Sequence, residues 1–353
     1  MMHFSFPPAR WSSARWSRQI ALIALVLVLA ACNSATPLAT GAPTAAIDQA
    51  TVTSQPSPEP TAVAAKVILV SDSSAATADV QNAETHLTAL AAQNNMALVK
   101  AETLAAADLT ADVKVVVWVG AASGITDLAG GAPQVQFVAI TAGDLQSAAN
   151  LSVIRSHPED VVFIAGYIST LIAPDWRGAA LLPSDGPLGD EVQTIFENGG
   201  RFFCGRCAPA YAPVVLFPLS ATLPSTSPAS AWQAAFETLN QNVIEVLYVS
   251  DPASSPELLT PLKDAGITLI GSQPPSAELQ SNWAATVQMD NASVLDTLWL
   301  GLLAGKPGQT LEAPVTLSDI NPDKFSPGRQ DLVQTMISNL QNGLVDPFSV
   351  PAQ

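Results

Sequence analysis

The residues best placed for covalent chemistry are Cys204 and Cys207, spaced as Cys-Gly-Arg-Cys. A CxxC pair beside an arginine can lower a thiol pKa and cycle between dithiol and disulfide. Zinc needs four ligands, and a chain with three Cys and three His places no second pair near this one. The motif lies in NGGRFFCGRCAPAYAP (198–213), between turn-forming stretches, whereas a thioredoxin-type pair opens a helix after a strand. In an exported chain the default is a structural disulfide between Cys204 and Cys207, with a redox pair and a free or metal-bound pair as the alternatives. Other chemistry is poorly provisioned. No Gly-rich phosphate loop with a following Lys, no His-Glu-x-x-His and no nucleophile elbow occurs. Asp190 and Glu191 read as first-turn charges at a helix N-terminus, His157 as a loop residue, and His86 as a solvated residue on a helix face with Asn82 and Glu84. The expectation is a chain with no catalytic residues, no metal and no cofactor, and no enzyme activity.

A second set of polar residues recurs at the ends of short apolar runs. The runs are KVILV (66–70), VKVVVWV (113–119), VQFVAI (135–140), GAALL (178–182), VIEVLYV (243–249) and GITLI (266–270). They are too continuously apolar to leave one face in water. Helical segments alternate with them: Ser255-Pro256 opens one that stops at Gly266, Asn291 one that stops at Gly305, and Pro327 one that stops at Gly343. Such alternation means right-handed βαβ units and parallel sheets covered on both faces. Ligands of open parallel sheets sit beyond the carboxyl ends of the strands, where this chain has Ser71, Asp72, Gly120 and Thr141 in one set and Ser184, Asp185, Ser250, Asp251 and Ser272 in another. These residues are the candidates for ligand contact. Ser and Asp at such places also cap the helices that follow. Trp118 and Trp283, the latter in a possible crossover, read as core residues that could also offer flat stacking surfaces.

The chain has 353 residues, with 48% hydrophobic and 12% charged, a composition that folds. Fourteen basic residues less the three arginines ahead of Cys32 leave 11 against 30 acidic ones, a net charge of −19. That excludes a nucleic-acid partner, which needs clustered Lys and Arg. Arg10, Arg15 and Arg18 precede an unbroken apolar run from Ile20 to Ala31, too short to span a membrane and typical of a secretory leader. Leu29-Ala30-Ala31-Cys32 resembles the bacterial lipobox, so residues 1–31 read as a signal peptide and Cys32 as the lipidated first residue of an extracytoplasmic chain held on the cell membrane. Residues 32–64, rich in Ser, Thr, Pro and Ala, read as a tether. Roughly 290 residues follow, more than one core usually holds, so two α/β lobes are expected.

The order of these pieces resembles the basic membrane protein family of ABC-transporter substrate-binding lipoproteins, whose purine-nucleoside-receptor members have a type I periplasmic-binding fold. The resemblance rests on KVILVSD (66–72) with Asn82 as the helix-opening Asn, on DVVFIAGYISTLI (160–172), on NASVLDTLWLGLLAGK (291–306), and most specifically on LSDINPDKFSPGRQDLVQTMISNLQNGLVDP (317–347). It implies two lobes, each a parallel sheet flanked by helices, joined by three crossovers. Lobe 1 would be 65–152 plus 284–308, and lobe 2 would be 153–283 plus 309–353. It further implies an importer's solute-binding protein, with a small polar solute in the cleft and an ABC permease as partner, Asn82 joining the ligand contacts. The chain departs from the family at Gln81, where a base-stacking aromatic is usual, at Ser272 or Gln273 in place of an Asp, and at Gln288 in place of a Lys. A sensory or adhesive lipoprotein that keeps the fold and binds a protein is the alternative.

Overall fold

The computed structural model describes residues 64–349; the leader 1–31, Cys32 and the tether up to Val63 lie outside the described residues. The elements run β1 (Lys66–Ser71), α1 (Thr77–Gln93), β2 (Ala97–Ala101), β3 (Val113–Val119), α2 (Ile125–Gly131), β4 (Gln136–Thr141) and β5 (Leu151–Arg155). They continue as α3 (Pro158–Ile172), β6 (Gly178–Pro183), α4 (Glu191–Cys204), β7 (Leu219–Leu223), α5 (Ala229–Asn240), β8 (Val246–Val249), α6 (Pro256–Asp264) and β9 (Thr268–Gly271). The chain closes with β10 (Trp283–Met289), α7 (Asn291–Leu303), β11 (Thr310–Glu312), β12 (Val315–Ser318) and α8 (Pro327–Gln341).

Two six-stranded sheets result, in the orders β11-β5-β4-β3-β1-β2 and β12-β10-β9-β8-β6-β7. Every pairing is parallel except β10 with β12. The apolar runs become the inner strands because both their faces are covered: in β3 every residue but Lys114 is buried. The helix punctuation is physical. Pro158, Pro256 and Pro327 are the first residues of α3, α6 and α8, where a missing N–H costs nothing. Gly266, Gly305 and Gly343 follow α6, α7 and α8 with φ of 77°, 66° and 65°, the left-handed conformation that ends a helix.

The lobes divide by sheet. The first sheet carries α1, α2 and α7, and the second carries α3, α4, α5, α6 and α8. The chain passes between sheets after β5, after β10 and between β11 and β12. These places differ by a few residues from the expected breaks at 152/153, 283/284 and 308/309. β10, expected to open the second part of lobe 1, belongs to the second sheet, and β11 belongs to the first. Trp283 accordingly lies in a strand, not in a crossover.

One apolar core runs from one lobe into the other. It joins Val67, Leu69 and Val117 under α1 and α7 to Leu182, Tyr248, Ile270 and Val287 under α3 and α4. Two smaller cores cover the outer faces, one around Phe137 and Trp118, the other around Trp232, Phe236 and Leu269. The α3–α4 crossing is set by two glycines. A Cβ on Gly166 would stand 2.0 Å from the carbonyl oxygen of Phe196, and one on Gly199 would stand 2.0 Å from that of Phe163.

Candidate functional site between the lobes

The strand-end residues separate into those that build loops and those that face open polar space. Asp72 is a builder. Its Oδ1 accepts the backbone N–H of Ser74 at 2.9 Å and the Ser74 hydroxyl, and its Oδ2 accepts Trp118 Nε1 at 3.0 Å and the Ala122 N–H at 3.2 Å. Four donors fill a carboxylate's lone-pair positions. Burial pushes Asp72 up, but these donors outweigh it and hold the carboxyl below its ordinary range. Gly120, with φ 119°, lies against this carboxylate, and a Cβ there would meet Asp72 Oδ1 at 2.2 Å. Trp118 is thus both core and brace.

Thr141 is buried, and its Oγ1 accepts the Gly143 N–H at 3.0 Å. In the second lobe, the Ser184 N–H donates to Leu223 O, and exposed Asp185 accepts the Ser225 N–H at 2.8 Å and its hydroxyl at 3.0 Å. The Ser225 bonds hold Asp185 below its ordinary range. Ser71 is half-buried at the end of β1, and Asn82 is half-buried on α1.

A different group meets where the lobes approach each other. Asp79, in the first turn of α1, accepts Asn291 Nδ2 at 2.9 Å, and Asn291 Oδ1 accepts Ser156 Oγ at 2.9 Å. Asn291 is free to do this because Asp290 caps α7, its carboxylate accepting the Ser293 N–H at 3.0 Å. The expected opening residue Asn291 is therefore the first helical residue. Burial pushes Asp79 up to about 6; the Asn291 donor opposes this and the charge of Asp251 adds to it. Asp251, after β8, accepts Gln273 Nε2 at 2.8 Å. Ser250 and Ser272 stand beside it, and the buried Ser250 hydroxyl has no hydrogen-bond partner. Burial also raises the Tyr248 phenol; its hydrogen bond with Ser272 opposes this and the charge of Asp251 adds to it.

Of the expected contacts, then, Ser250, Asp251 and Ser272 come together with one another, while Asp72 and Asp185 are engaged in their own loops. Asp79, Asn291, Ser156 and Gln273 were not among them. Asp79 stands in the quoted stretch SDSSAATADVQN (71–82), but as a first-turn acid it carries the same signal as Glu191.

The connections between lobes carry their own charges. His157, the loop residue immediately before α3, places Nδ1 2.9 Å from Glu159 Oε1 and Nε2 2.8 Å from Glu312 Oε2. The Glu159 bond raises the imidazole from 6.5 to about 9, against burial, with Glu312 assisting. A cavity of about 650 Å³ opens beside it, lined by His157, Asp160, Glu312, Asp346 and Phe348 among others, and one of about 450 Å³ lies beside Trp176, Phe203 and Leu332. Neither is lined by the strand-end residues. His86 Nδ1 is 3.5 Å from Asp296 Oδ2.

Cys204 is the last residue of α4 and is bonded to Cys207 as a disulfide, with Cα atoms 5.2 Å apart. Trp283 is buried in the outer core of lobe 2 and donates from Nε1 to Thr286 Oγ1 at 3.0 Å. Among the described residues no group of three or more His, Cys, Asp or Glu is placed to hold a metal ion, and no helix is long and apolar enough to cross a membrane.

No protein-family model matches the chain, and no curated protein matches it. Solved structures do. An ABC transporter system solute-binding protein from Conexibacter woesei is similar over 80% of this chain and 98% of its own, with 17% identity and a TM-score of 0.61. One from Aeropyrum pernix covers 80% and 92%, with 13% identity and a TM-score of 0.61. A transcriptional activator of the comK gene from Bacillus halodurans covers 81% and 100%, with 13% identity and a TM-score of 0.58. At such identities the likeness is one of fold: two lobes of parallel sheet flanked by helices, the type I periplasmic-binding fold.

Proposed function

We propose that this chain is a lipid-anchored, extracytoplasmic solute-binding protein of an ABC importer, related to the basic membrane protein family and binding a nucleoside or sugar-like solute between its lobes without turning it over. The observation that carries the reading is the polar group assembled from both lobes: Asp79 and Asn291 on one side, Asp251, Gln273, Ser250 and Ser272 on the other. A buried polar atom without a partner is uncommon in a finished core, and the Ser250 hydroxyl, which is one, stands at the carboxyl end of β8, where this class of sheet takes ligands. Lobe closure about the three connections would bring these groups onto the solute. Cys32 and the tether supply the membrane attachment, and the permease is the partner to which the solute passes.

The alternative, a sensory or adhesive lipoprotein that binds a protein, draws on Asp72 and Asp185, whose oxygens already serve the protein's own donors.

Thermal unfolding of the mature chain against nucleosides, sugars, polyamines and amino acids at about 1 mM separates the two. A solute with a Kd near 10 μM adds roughly 2.7 kcal/mol, a midpoint rise of about 4 °C for a chain of this size. A rise is expected with at least one solute class. Silence across the whole panel would favour the alternative.

A further inference from the structure

The three passages of chain that join the lobes are themselves joined by hydrogen bonds. Backbone bonds close two sides of this triangle. The Ala313 N–H donates to Arg155 O at 2.9 Å, tying the third passage to the first, and the Asp290 N–H donates to Pro314 O at 2.8 Å, tying the second to the third. The remaining side, between the first and the second, is closed by side chains. Ser156 Oγ donates to Asn291 Oδ1 at 2.9 Å, and Asn291 Nδ2 donates to Asp79 Oδ1 at 2.9 Å. Ser156 is 8% exposed and Asn291 3%. The next residue, His157, reaches the other way, its Nε2 2.8 Å from Glu312 Oε2 on β11. Two consecutive side chains of the first passage therefore hold the other two passages.

A hinge moves through φ and ψ changes in a few residues of each connecting segment. Three separate segments could each bend alone, and the lobes would then tilt and twist in several directions. A bond between two segments removes their relative motion. Breaking the Ser156–Asn291 bond would leave Asn291 Oδ1 a buried acceptor without a donor, and Asp79, by engaging the amide nitrogen, keeps that oxygen turned to Ser156. The His157 bond adds charge. Its Nδ1 lies 2.9 Å from Glu159 Oε1, so both ring nitrogens donate and the ring is an imidazolium.

We propose that Ser156 and His157 are the hinge-setting residues of this protein: they lock the three passages into one unit, so that the lobes swing about one shared axis and do not bend at each passage separately. Removing either side chain leaves both lobes folded and widens the range of angles between them. His157 offers a second handle, because loss of its ring proton removes the donor to one of its two carboxylates. The groups that face it are Glu159 and Asp160 on α3, Glu312 on β11, and Arg155 at the end of β5 with Asp144 beyond it. Asp346, after α8, lines the same cavity, and Asp290, in the second passage, is turned to the Ser293 N–H. Above about pH 7 these carboxylates and the arginine keep their charges, so the imidazole, held at about 9 by its two carboxylates, is the member of the group that titrates as pH rises further.

The test measures the spread of lobe angles directly. Spin labels are carried on keto-reactive unnatural residues at Glu102, just after β2 in lobe 1, and at Ala234, on α5 in lobe 2, both exposed, so that the cysteines stay as they are. Distance distributions between the labels are recorded by pulsed electron resonance on the mature chain without solute. Ser156→Ala and His157→Gln should each widen the distribution about twofold at about pH 7. The wild type should widen to the same extent between about pH 7 and about pH 10, while His157→Gln, already wide, should not change. A width equal to that of the wild type in either folded variant, a wild-type width that is the same at both pH values, or a pH-dependent widening that persists in His157→Gln overturns the inference. The wild-type pH arm keeps the test decisive if a variant fails to fold. No solute enters the measurement, so a failure here leaves the solute-binding reading standing, and silence in the solute screen leaves the hinge assignment standing.

Discussion

His157 sits where two of the three connections between lobes meet, and the clasp it forms has a calculable pH signature. Carboxylate oxygens at 2.9 Å and 2.8 Å from its two ring nitrogens require both nitrogens to donate, so the bonded species is the imidazolium. The rise from 6.5 to about 9 corresponds at full strength to about 3.4 kcal/mol. The side chain is 35% exposed, and solvent screening reduces this to roughly 1–2 kcal/mol. The folded value lies above the unfolded one, so the contribution is complete below about pH 6.5 and is lost as pH rises to about 9. The other charges at the clasp are Arg155, 4.0 Å from Glu312 and 3.4 Å from Asp144, and Asp160. Burial pushes Asp160 up to about 6, with Glu159 adding, so it titrates below this window. Urea unfolding of wild type and His157→Gln between about pH 7 and pH 10 isolates the effect. The wild type should be more stable by roughly 1–2 kcal/mol at the lower pH, and the difference should close by the upper one. Two parallel stability curves across that range would refute the assignment.

Gly166→Ala and Gly199→Ala should each cost about 3 kcal/mol or more, since the added carbon meets backbone rather than a movable side chain; a variant within about 1 kcal/mol of wild type in chemical denaturation would show that the helices do not cross so closely. Cys204→Ser with Cys207→Ser should lower stability by about 2 kcal/mol, because a bridge of sequence separation 3 closes only a short loop. Solute-induced midpoint shifts should be unchanged in that double variant, and their loss would return the pair to the list of functional groups.

How far the sequence could be read depended on whether the signal was local. The inner strands were legible because continuous burial leaves a continuous apolar run, as in Val113–Val119. Edge strands were not: β2 reads ALVKA and β7 reads LSATL, each with partly exposed residues throughout, because an edge strand has only one neighbour. β11 and β12 are 3 and 4 residues long, too short for any period to register. The same division holds at the site. Ser250, Asp251 and Ser272 stand out because a polar residue after an apolar run is a local mark. Asp79 and Asn291 are 212 residues apart, and each separately resembles an ordinary helix start. Asp72 was legible as a strand-end acid, but its engagement by Trp118 and Ala122 depends on β1 and β3 lying side by side, which only the folded sheet reveals.

The three passages between lobes have a consequence for how the chain reaches its fold. The first sheet gains its last strand, β11, and its covering helix α7 only after the chain has built nearly all of the second sheet, and the second sheet in turn waits for β12 and α8. Neither lobe is complete until the final segment has been made, so a chain stopped near residue 290 leaves β5 with an unpaired edge and the apolar surface meant for α7 uncovered. Contacts of such long sequence separation form slowly. The growing chain therefore stays open for a long interval, and the residues from Asn291 onward, which hold α7, β11, β12 and α8, act as the latch that ends that interval for both lobes.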